Sequence, residues 1–245
     1  MLIRILSIFV FVISFFVFPE RALSDILVHD IVVPTGKEVM IRAEVTGRFF
    51  KKGGEIVEFF VNEKSIGKSL SGGDGSAFKQ FIPSRNGMYQ ITVKSGKDEG
   101  KGLLLSIRKG SGIIFVDVEG SLIEKFSDKP KQGSQKAIKD LHKRFPIVLL
   151  HTTGFLNIKS IKAWLKKNEF LELPLIPWKQ GAVFSEFRED GFRVKVVIGS
   201  PDVIDSAKEY KPLAFSFEET EDAIEVKNWK EIKNKLIDRR RVKDK

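Results

Sequence analysis

The 245-residue sequence contains no cysteine. Disulfide bonds, thiolate chemistry and the lipid acylation of a lipoprotein cysteine are therefore excluded, and packing alone must stabilise the fold. The sequence also lacks an apolar stretch of membrane-spanning length, because residues 5–18 fall short of the about 20 residues that a span needs. Dense runs of one charge are scarce too, and the only basic run lies at residues 239–243. These absences favour a folded domain or domains stabilised by apolar cores.

The first two dozen residues have the pattern of an export signal. Arg4 supplies a positive start, residues 5–18 are apolar, and Ala22-Leu23-Ser24 is a small-x-small cleavage motif. We expect residues 1–24 to be a signal peptide and the mature chain to be periplasmic or extracellular. The alternative is an uncleaved N-terminal membrane anchor.

The charge balance predicts an anionic partner. Lys and Arg number 42 against 32 Asp and Glu, which gives a formal net charge of +10. A phosphorylated substrate, an acidic lipid headgroup or an acidic membrane surface would suit such a chain. Nucleic acid is not expected, because the basic tail at residues 239–245 lacks interleaved aromatic residues and export removes the obvious partner. The oligomeric state has no signature in the sequence.

Residues 25–109 have the pattern of an all-β domain. Short alternating apolar stretches are separated by Gly, Pro and Asn turns, which indicates a β-sandwich. Residues 81–93 resemble the late hairpin of bacterial immunoglobulin-like domains, in which a tyrosine, here Tyr89, packs at a corner. No cluster of acids, His or Ser suggests chemistry, so we expect a spacer or adhesion module. The expected strands cover residues 26–33, 39–45, 56–61, 78–82, 89–93 and 103–107.

Residues 110–238 change to alternating strands and amphipathic helices, which predicts an α/β domain with a parallel sheet. Buried strands are expected at residues 113–117, 147–150 and 194–198, with Asn157 and Ser200 as helix N-caps.

Two acids follow the first of these strands. Asp117 and Glu119 are two residues apart, so they should leave the strand on the same side. Because ligands of open parallel sheets bind beyond the carboxyl ends of the strands, the pair could serve as nucleophile and proton donor or as joint ligands for Mg²⁺. The alternative is an ordinary strand end with solvated acids.

The segment Asp117-Val118-Glu119-Gly120-Ser121-Leu122 resembles the first motif of the haloacid dehalogenase-like (HAD-like) superfamily. Thr152 ends the next strand, as in the second motif of that superfamily. The helix and turn at residues 163–175 resemble the lipin and phosphatidylinositol-transfer-protein C-terminal branch. The resemblance covers about residues 113–219. It implies a three-layer, Rossmann-like domain without a cap, in which Asp117 attacks phosphorus, Glu119 moves protons and Thr152 holds the phosphoryl oxygens.

The sequence departs from that superfamily at two positions. Glu119 replaces an aspartate, and Ser200 stands where the fourth motif has its first acid. The implied Mg²⁺ would rely on Asp117, the carbonyl of Glu119 and Asp202. Lys195 is the expected cation of the third motif, with Arg188 and Arg193 as competitors.

These observations leave three functional hypotheses. The first is an exported phosphohydrolase that forms an aspartyl-phosphate on a bulky phosphomonoester, possibly a lipid-linked one. The second is a catalytically degenerate relative that binds phosphatidic acid or another anionic envelope component. The third is a structural or adhesive envelope protein in which the sandwich does the work.

Overall fold

The computed structural model of the chain describes residues 25–47, 51–152 and 157–243. The predicted leader, residues 1–24, lies outside the described residues. Strands alone follow one another up to Ile107, and strands alternate with helices from Gly112 onward. No helix within the described ranges is both long enough and apolar enough to cross a membrane.

The first domain is a sandwich of two sheets. One has the strand order β1-β3-β6, and the other has the order β2-β8-β7-β4-β5. Alternate residues of both sheets point inward and form one apolar core that includes Ile41, Phe59 and Ile91. The strands are β1 Asp25–Val28, β2 Ile31–Pro34, β3 Val39–Thr46, β4 Ile56–Val61, β5 Lys64–Leu70, β6 Ser76–Phe81, β7 Gly87–Ser95 and β8 Asp98–Ile107.

Tyr89 forms the corner that the sequence predicted. Its hydroxyl donates to the carbonyl of Arg85 at 2.9 Å and accepts from the amide of the same residue at 3.1 Å. The ring of Tyr89 packs edge-on against Phe81, with 5.7 Å between the centroids. A tyrosine bonded to backbone just upstream is a feature of immunoglobulin-like sandwiches, and the prediction of such a domain is confirmed.

One strand prediction was wrong, and one strand was missed. Residues 26–33 are two strands rather than one, because β1 pairs with β3 in one sheet and β2 runs parallel to β8 in the other. The break falls at His29 and Asp30, where Asp30 accepts a hydrogen bond from the amide of Leu103 at 2.9 Å. Strand β5 was missed because it is largely polar, and pairing with β4 holds it in place.

The second domain contains a six-stranded sheet of order β11-β10-β9-β12-β13-β14, in which every neighbouring pair is parallel. The prediction of a parallel α/β domain is therefore confirmed. Its strands are β9 Gly112–Asp117, β10 Ile147–His151, β11 Leu175–Pro177, β12 Arg193–Ile198, β13 Leu213–Ser216 and β14 Ile224–Glu225. Its helices are α1 Ser134–His142, α2 Ile158–Lys167, α3 Ala182–Glu189, α4 Pro201–Ala207 and α5 Trp229–Lys243.

Helices cover both faces of this sheet. Alternation along β9 sends Ile114 and Val116 to the face covered by α1, α2 and α5, whereas Ile113 and Phe115 face α3 and α4. Helix α3 was not predicted from the sequence, although Phe184 and Phe187 both pack edge-on against Phe115. The result is a three-layer domain with a core on each side of the sheet.

The two domains share apolar packing. Leu105 and Ile107 of β8 belong to the same buried cluster as Ile113 and Phe115 of β9. The Lys37 ammonium also forms an ion pair with Asp190, across the domain boundary. The sandwich therefore sits against the α/β domain.

Candidate functional site

Asp117 lies at the carboxyl end of the central strand β9, and its carboxyl group is saturated with hydrogen bonds. Oδ1 accepts from the Gly120 amide at 3.0 Å and from the Thr152 hydroxyl at 3.1 Å. Oδ2 accepts from the Ser200 amide at 3.0 Å and from the Ser200 hydroxyl at 2.9 Å. The four donors come from the turn after β9 and from the ends of β10 and β12. Asp117 therefore ties three neighbouring strands together.

Two glycines allow the chain to close around this carboxyl group. A Cβ atom at Gly120 would lie 2.3 Å from Oδ2 of Asp117 and 2.8 Å from the Ser200 amide nitrogen. A Cβ atom at Gly199 would lie 2.9 Å from the Cβ of Asp117. Both positions require a close backbone approach, which explains glycine there. As a result Asp117 is only 1% exposed.

Burial raises the pKa of the Asp117 carboxyl group above its ordinary value. The hydrogen bonds from Gly120 and Ser200 favour the charged form, but they do not offset the loss of solvent. The nearby charge of Glu119 acts in the same direction as burial. The structure thus favours the neutral acid at this position more than water does.

Glu119 does not continue the strand but lies in a single π-helical turn, Val118–Leu122. Its Oε1 is 2.6 Å from Nδ1 of His151, and the Thr152 amide donates to both of its carboxylate oxygens at 3.3 Å. Glu119 and His151 are each 12% exposed in their side chains. His151 thus forms a local hydrogen bond, and Glu119 is its partner.

Asp117, Glu119 and Thr152 therefore meet at one edge of the sheet, but the structure does not bring Lys195 there. Lys195 lies at a bulge between the pairs Val194–Ile113 and Val196–Ile114. Its Nζ is 4.7 Å from the centroid of the Phe145 ring, which precedes β10. Asp117 lies three residues beyond Ile114, about 10 Å along the strand.

Two other expected cations are also placed elsewhere. Arg188 lies in the last turn of α3, and its guanidinium donates to the carbonyl of Phe192 at 3.5 Å. Arg193 begins β12, and its Nε donates to the carbonyl of Gly110 at 2.9 Å. Both lie near the amino ends of the strands.

The residues expected to hold Mg²⁺ do not fit that ion. A carboxylate offers about four lone-pair directions, and at Asp117 four donors already occupy them. Asp202 is an exposed residue in the first turn of α4. Within the described ranges, no group of three or more His, Asp or Glu side chains could hold a metal ion. Bound Mg²⁺ would have to displace the donors that fix the strand ends.

Comparisons with known proteins concern the sandwich fold. No family model matches the chain, and no curated protein matches it either. Three similar solved structures are a domain pair of intimin (13% identity, TM-score 0.30), the fibronectin(III)-like modules of Clostridium thermocellum CbhA (12%, 0.29) and invasin, a bacterial integrin-binding protein (15%, 0.30). They cover 35%, 36% and 36% of this chain. This chain covers 47%, 48% and 19% of theirs.

The expected membership of the HAD-like superfamily is corrected here, because no family model and no curated protein supports it. The similar structures are immunoglobulin-like or fibronectin-III-like β-sandwich domains, and none supports membership of that superfamily. The physical reason lies in the motif. An acid at a strand end and a hydroxyl at the end of the next strand can serve a structural tie as well as catalysis, and here Asp117 and Thr152 bond to each other.

Sequence reasoning missed the role of Ser200. It was expected to cap α4, and it does occupy the N-cap position, but its hydroxyl makes no bond to the helix and instead donates to Asp117. The sequence did contain a sign of this role, because Ser200 stands where the fourth motif has its first acid. By contrast, Asn157 caps α2 as predicted, and its side chain accepts from the Ser160 amide at 2.9 Å.

Proposed function

We propose that the chain is an exported two-domain protein that binds an anionic component of the cell envelope and does not turn it over. The observation that carries this proposal is the state of Asp117, whose carboxyl oxygens are both engaged by donors from the chain itself. A carboxylate that attacks phosphorus needs a free lone pair and a nearby cation. Asp117 is instead buried and has a raised pKa.

The charge of the chain supports an anionic ligand. The net charge of +10 creates a positive potential that draws anions to the surface. The ligand would not sit at the strand ends, because the Glu119 carboxylate makes that edge acidic and the donors around Asp117 are already engaged. Export is supported by the leader at residues 1–24, and the periplasm or the cell exterior is the corresponding location.

A second candidate function is hydrolysis of a phosphomonoester through Asp117. It is favoured by one observation, the meeting of Asp117, Glu119 and Thr152 at the carboxyl edge of the sheet. In this reaction an Asp117 oxygen would bond to phosphorus as the alcohol leaves with a proton from Glu119, and water would then release phosphate. Asp117 would first have to release its hydrogen bonds from Ser200.

One pair of assays separates these functions. Purified protein and Asp117→Asn are compared for release of phosphate from p-nitrophenyl phosphate with Mg²⁺, and for co-sedimentation with vesicles. The vesicles contain phosphatidylcholine alone or phosphatidylcholine with phosphatidic acid. We expect no release of phosphate by either protein, and binding of both to the acidic vesicles that weakens with salt.

Two outcomes would overturn the proposal. Mg²⁺-dependent release of phosphate by the unmodified protein, lost in Asp117→Asn, would establish the hydrolase. Failure of the unmodified protein to bind acidic vesicles at low salt would refute anion binding.

A further inference from the structure

A groove of about 400 Å³ lies between the two domains, away from the acidic edge. Strands β7 and β8 of the sandwich form one wall, and helix α2 with the loop that follows it forms the other. The volume falls in the range typical of small-molecule sites, which are often found where domains meet.

The groove is organised around a buried aspartate. The Asp30 side chain is 1% exposed, and its Oδ1 accepts from the Leu103 amide at 2.9 Å and from Nζ of Lys162 at 2.6 Å. Its Oδ2 accepts from the Leu175 amide at 2.9 Å. Leu103 belongs to the sandwich, whereas Lys162 and Leu175 belong to the α/β domain. Asp30 therefore fixes both walls of the groove relative to each other.

This arrangement also fixes Lys162 at the groove. Its ammonium donates to Asp30 and, at 3.4 Å, to the carbonyl of Val28, which uses two of its three N–H donors. Its side chain remains 28% exposed. Because Asp30 is withdrawn from solvent and its charge is balanced by the Lys162 ammonium, it does not repel an anion.

The remaining lining combines positive charge with apolar surface. Lys166, one helical turn beyond Lys162, lines the same wall, and Lys101 lines the opposite wall. Apolar side chains lie between these lysines, including Phe170 and the partly exposed Leu171. Apart from the Lys162–Asp30 ion pair, the lining holds two lysines and one acid, the exposed Glu172, and Lys101 also pairs with Glu99 at 3.3 Å. The groove therefore suits an apolar molecule with a negatively charged end.

We propose that the interdomain groove binds an anionic amphiphile, a single apolar chain that carries a phosphate or carboxylate group. The charged group pairs with Lys101 and Lys166 beside the fixed Lys162, and the apolar chain covers Leu171 and the neighbouring apolar side chains. This inference rests on the proposed function and names its site. The same chemistry is found in a lipid headgroup at a membrane and in a free amphiphile.

Calorimetric titration of the purified protein tests the site. Decyl phosphate and decanoate, both below their micelle concentrations, serve as probes, and inorganic phosphate and octyl glucoside serve as the charged and apolar controls. We expect decyl phosphate to bind at least about tenfold more tightly than either control, because only the amphiphile uses both halves of the groove.

The site variant is Lys101→Glu with Lys166→Glu, and the matched control is Lys167→Glu. All three lysines are exposed, and Lys167 follows Lys166 on the helix without lining the groove. We expect the double variant to lose about tenfold or more in affinity and the control to change by less than about twofold. Circular dichroism checks that each variant is folded.

The outcomes distinguish this site from the wider function. If the double variant binds decyl phosphate as tightly as the unmodified protein, the groove is not the site, although anion binding stands. Binding of phosphatidic-acid vesicles without binding of decyl phosphate would likewise refute the groove as the binding site but leave the wider proposal of anion binding intact. Equal binding of octyl glucoside would refute the requirement for a charge. If neither vesicles nor amphiphiles bind, both proposals fail.

Discussion

Replacing Asp117 with alanine tests whether this residue is a structural tie. The change removes the acceptor for two backbone amides, those of Gly120 and Ser200, and for the hydroxyls of Thr152 and Ser200. A buried donor left without a partner costs about 1–3 kcal/mol, and the hydroxyls can rotate toward other acceptors. Counting the two amides alone, we expect Asp117→Ala to lower the free energy of unfolding by about 2–6 kcal/mol.

The effect of Asp117→Asn on stability should depend on pH. Because burial raises the pKa of Asp117, the folded state holds a proton more tightly than the unfolded state does. The stability that Asp117 contributes is therefore complete below the ordinary value of 3.8 and is lost as pH rises through the folded pKa. Asparagine does not titrate, so the cost of Asp117→Asn should be largest at acidic pH and should shrink as pH rises.

Urea denaturation followed by circular dichroism at several pH values measures both effects. Asp222→Ala is the control, because Asp222 is exposed in a turn and should change stability by less than about 0.5 kcal/mol. If Asp117→Ala is as stable as the control, the tie between the strand ends is not what its hydrogen bonds suggest. A cost of Asp117→Asn that grows with pH would contradict the raised pKa.

Three further changes test other parts of the molecule. Asp30→Ala should lower stability by about 3–5 kcal/mol, since it removes the carboxylate partner of Lys162 and leaves two amides unpaired, and limited proteolysis should detect loosened domains. Tyr89→Phe should cost about 1–2 kcal/mol in urea denaturation through the lost bonds to Arg85, and no change would argue against the corner. Gly120→Ala should lower the melting temperature and cost about 1–3 kcal/mol, because its methyl group would meet Asp117. Full stability of that variant would refute the close approach.

Much of the fold was predictable because local patterns and tertiary burial agree. The apolar strand at residues 113–117 is buried on both faces of the sheet, so it reads as one continuous apolar run. Strand β4 was predicted with its observed bounds, since its alternation matches its burial. Strand β5 could not be predicted in this way. Its residues are mostly polar, and it is a strand because β4 pairs with it.

The break between β1 and β2 shows a second reason why a strand boundary could not be predicted from the sequence. Residues 26–33 have the composition of one strand, and the chain leaves the first sheet at Asp30 because that carboxylate has partners 73 and 145 residues away. No local window contains those partners. An aspartate inside an apolar run was the available signal, since a buried acid must find donors somewhere.

The residues of the candidate site were easier to predict than their role. The sequence placed Asp117 and Thr152 at neighbouring strand ends, and the structure joins them by a hydrogen bond of 3.1 Å. Residue type and spacing do not distinguish a nucleophile from a tie, because both need an acid at a strand end. The number of donors does distinguish them, since an attacking oxygen must keep a lone pair free.

The same criterion applies to the second buried aspartate and separates the two regions of the molecule. Asp30 is also held by several donors, three in its case, yet one of them is the ammonium of Lys162, whose own side chain remains 28% exposed. At Asp117 the donors are amides and hydroxyls of the strand ends, so all four hydrogen bonds join parts of the same edge of the sheet. At Asp30 one donor is the Lys162 ammonium, a cation that is held in place at the interdomain groove. Of these two aspartates, Asp30 is therefore the one whose surroundings can still engage a ligand.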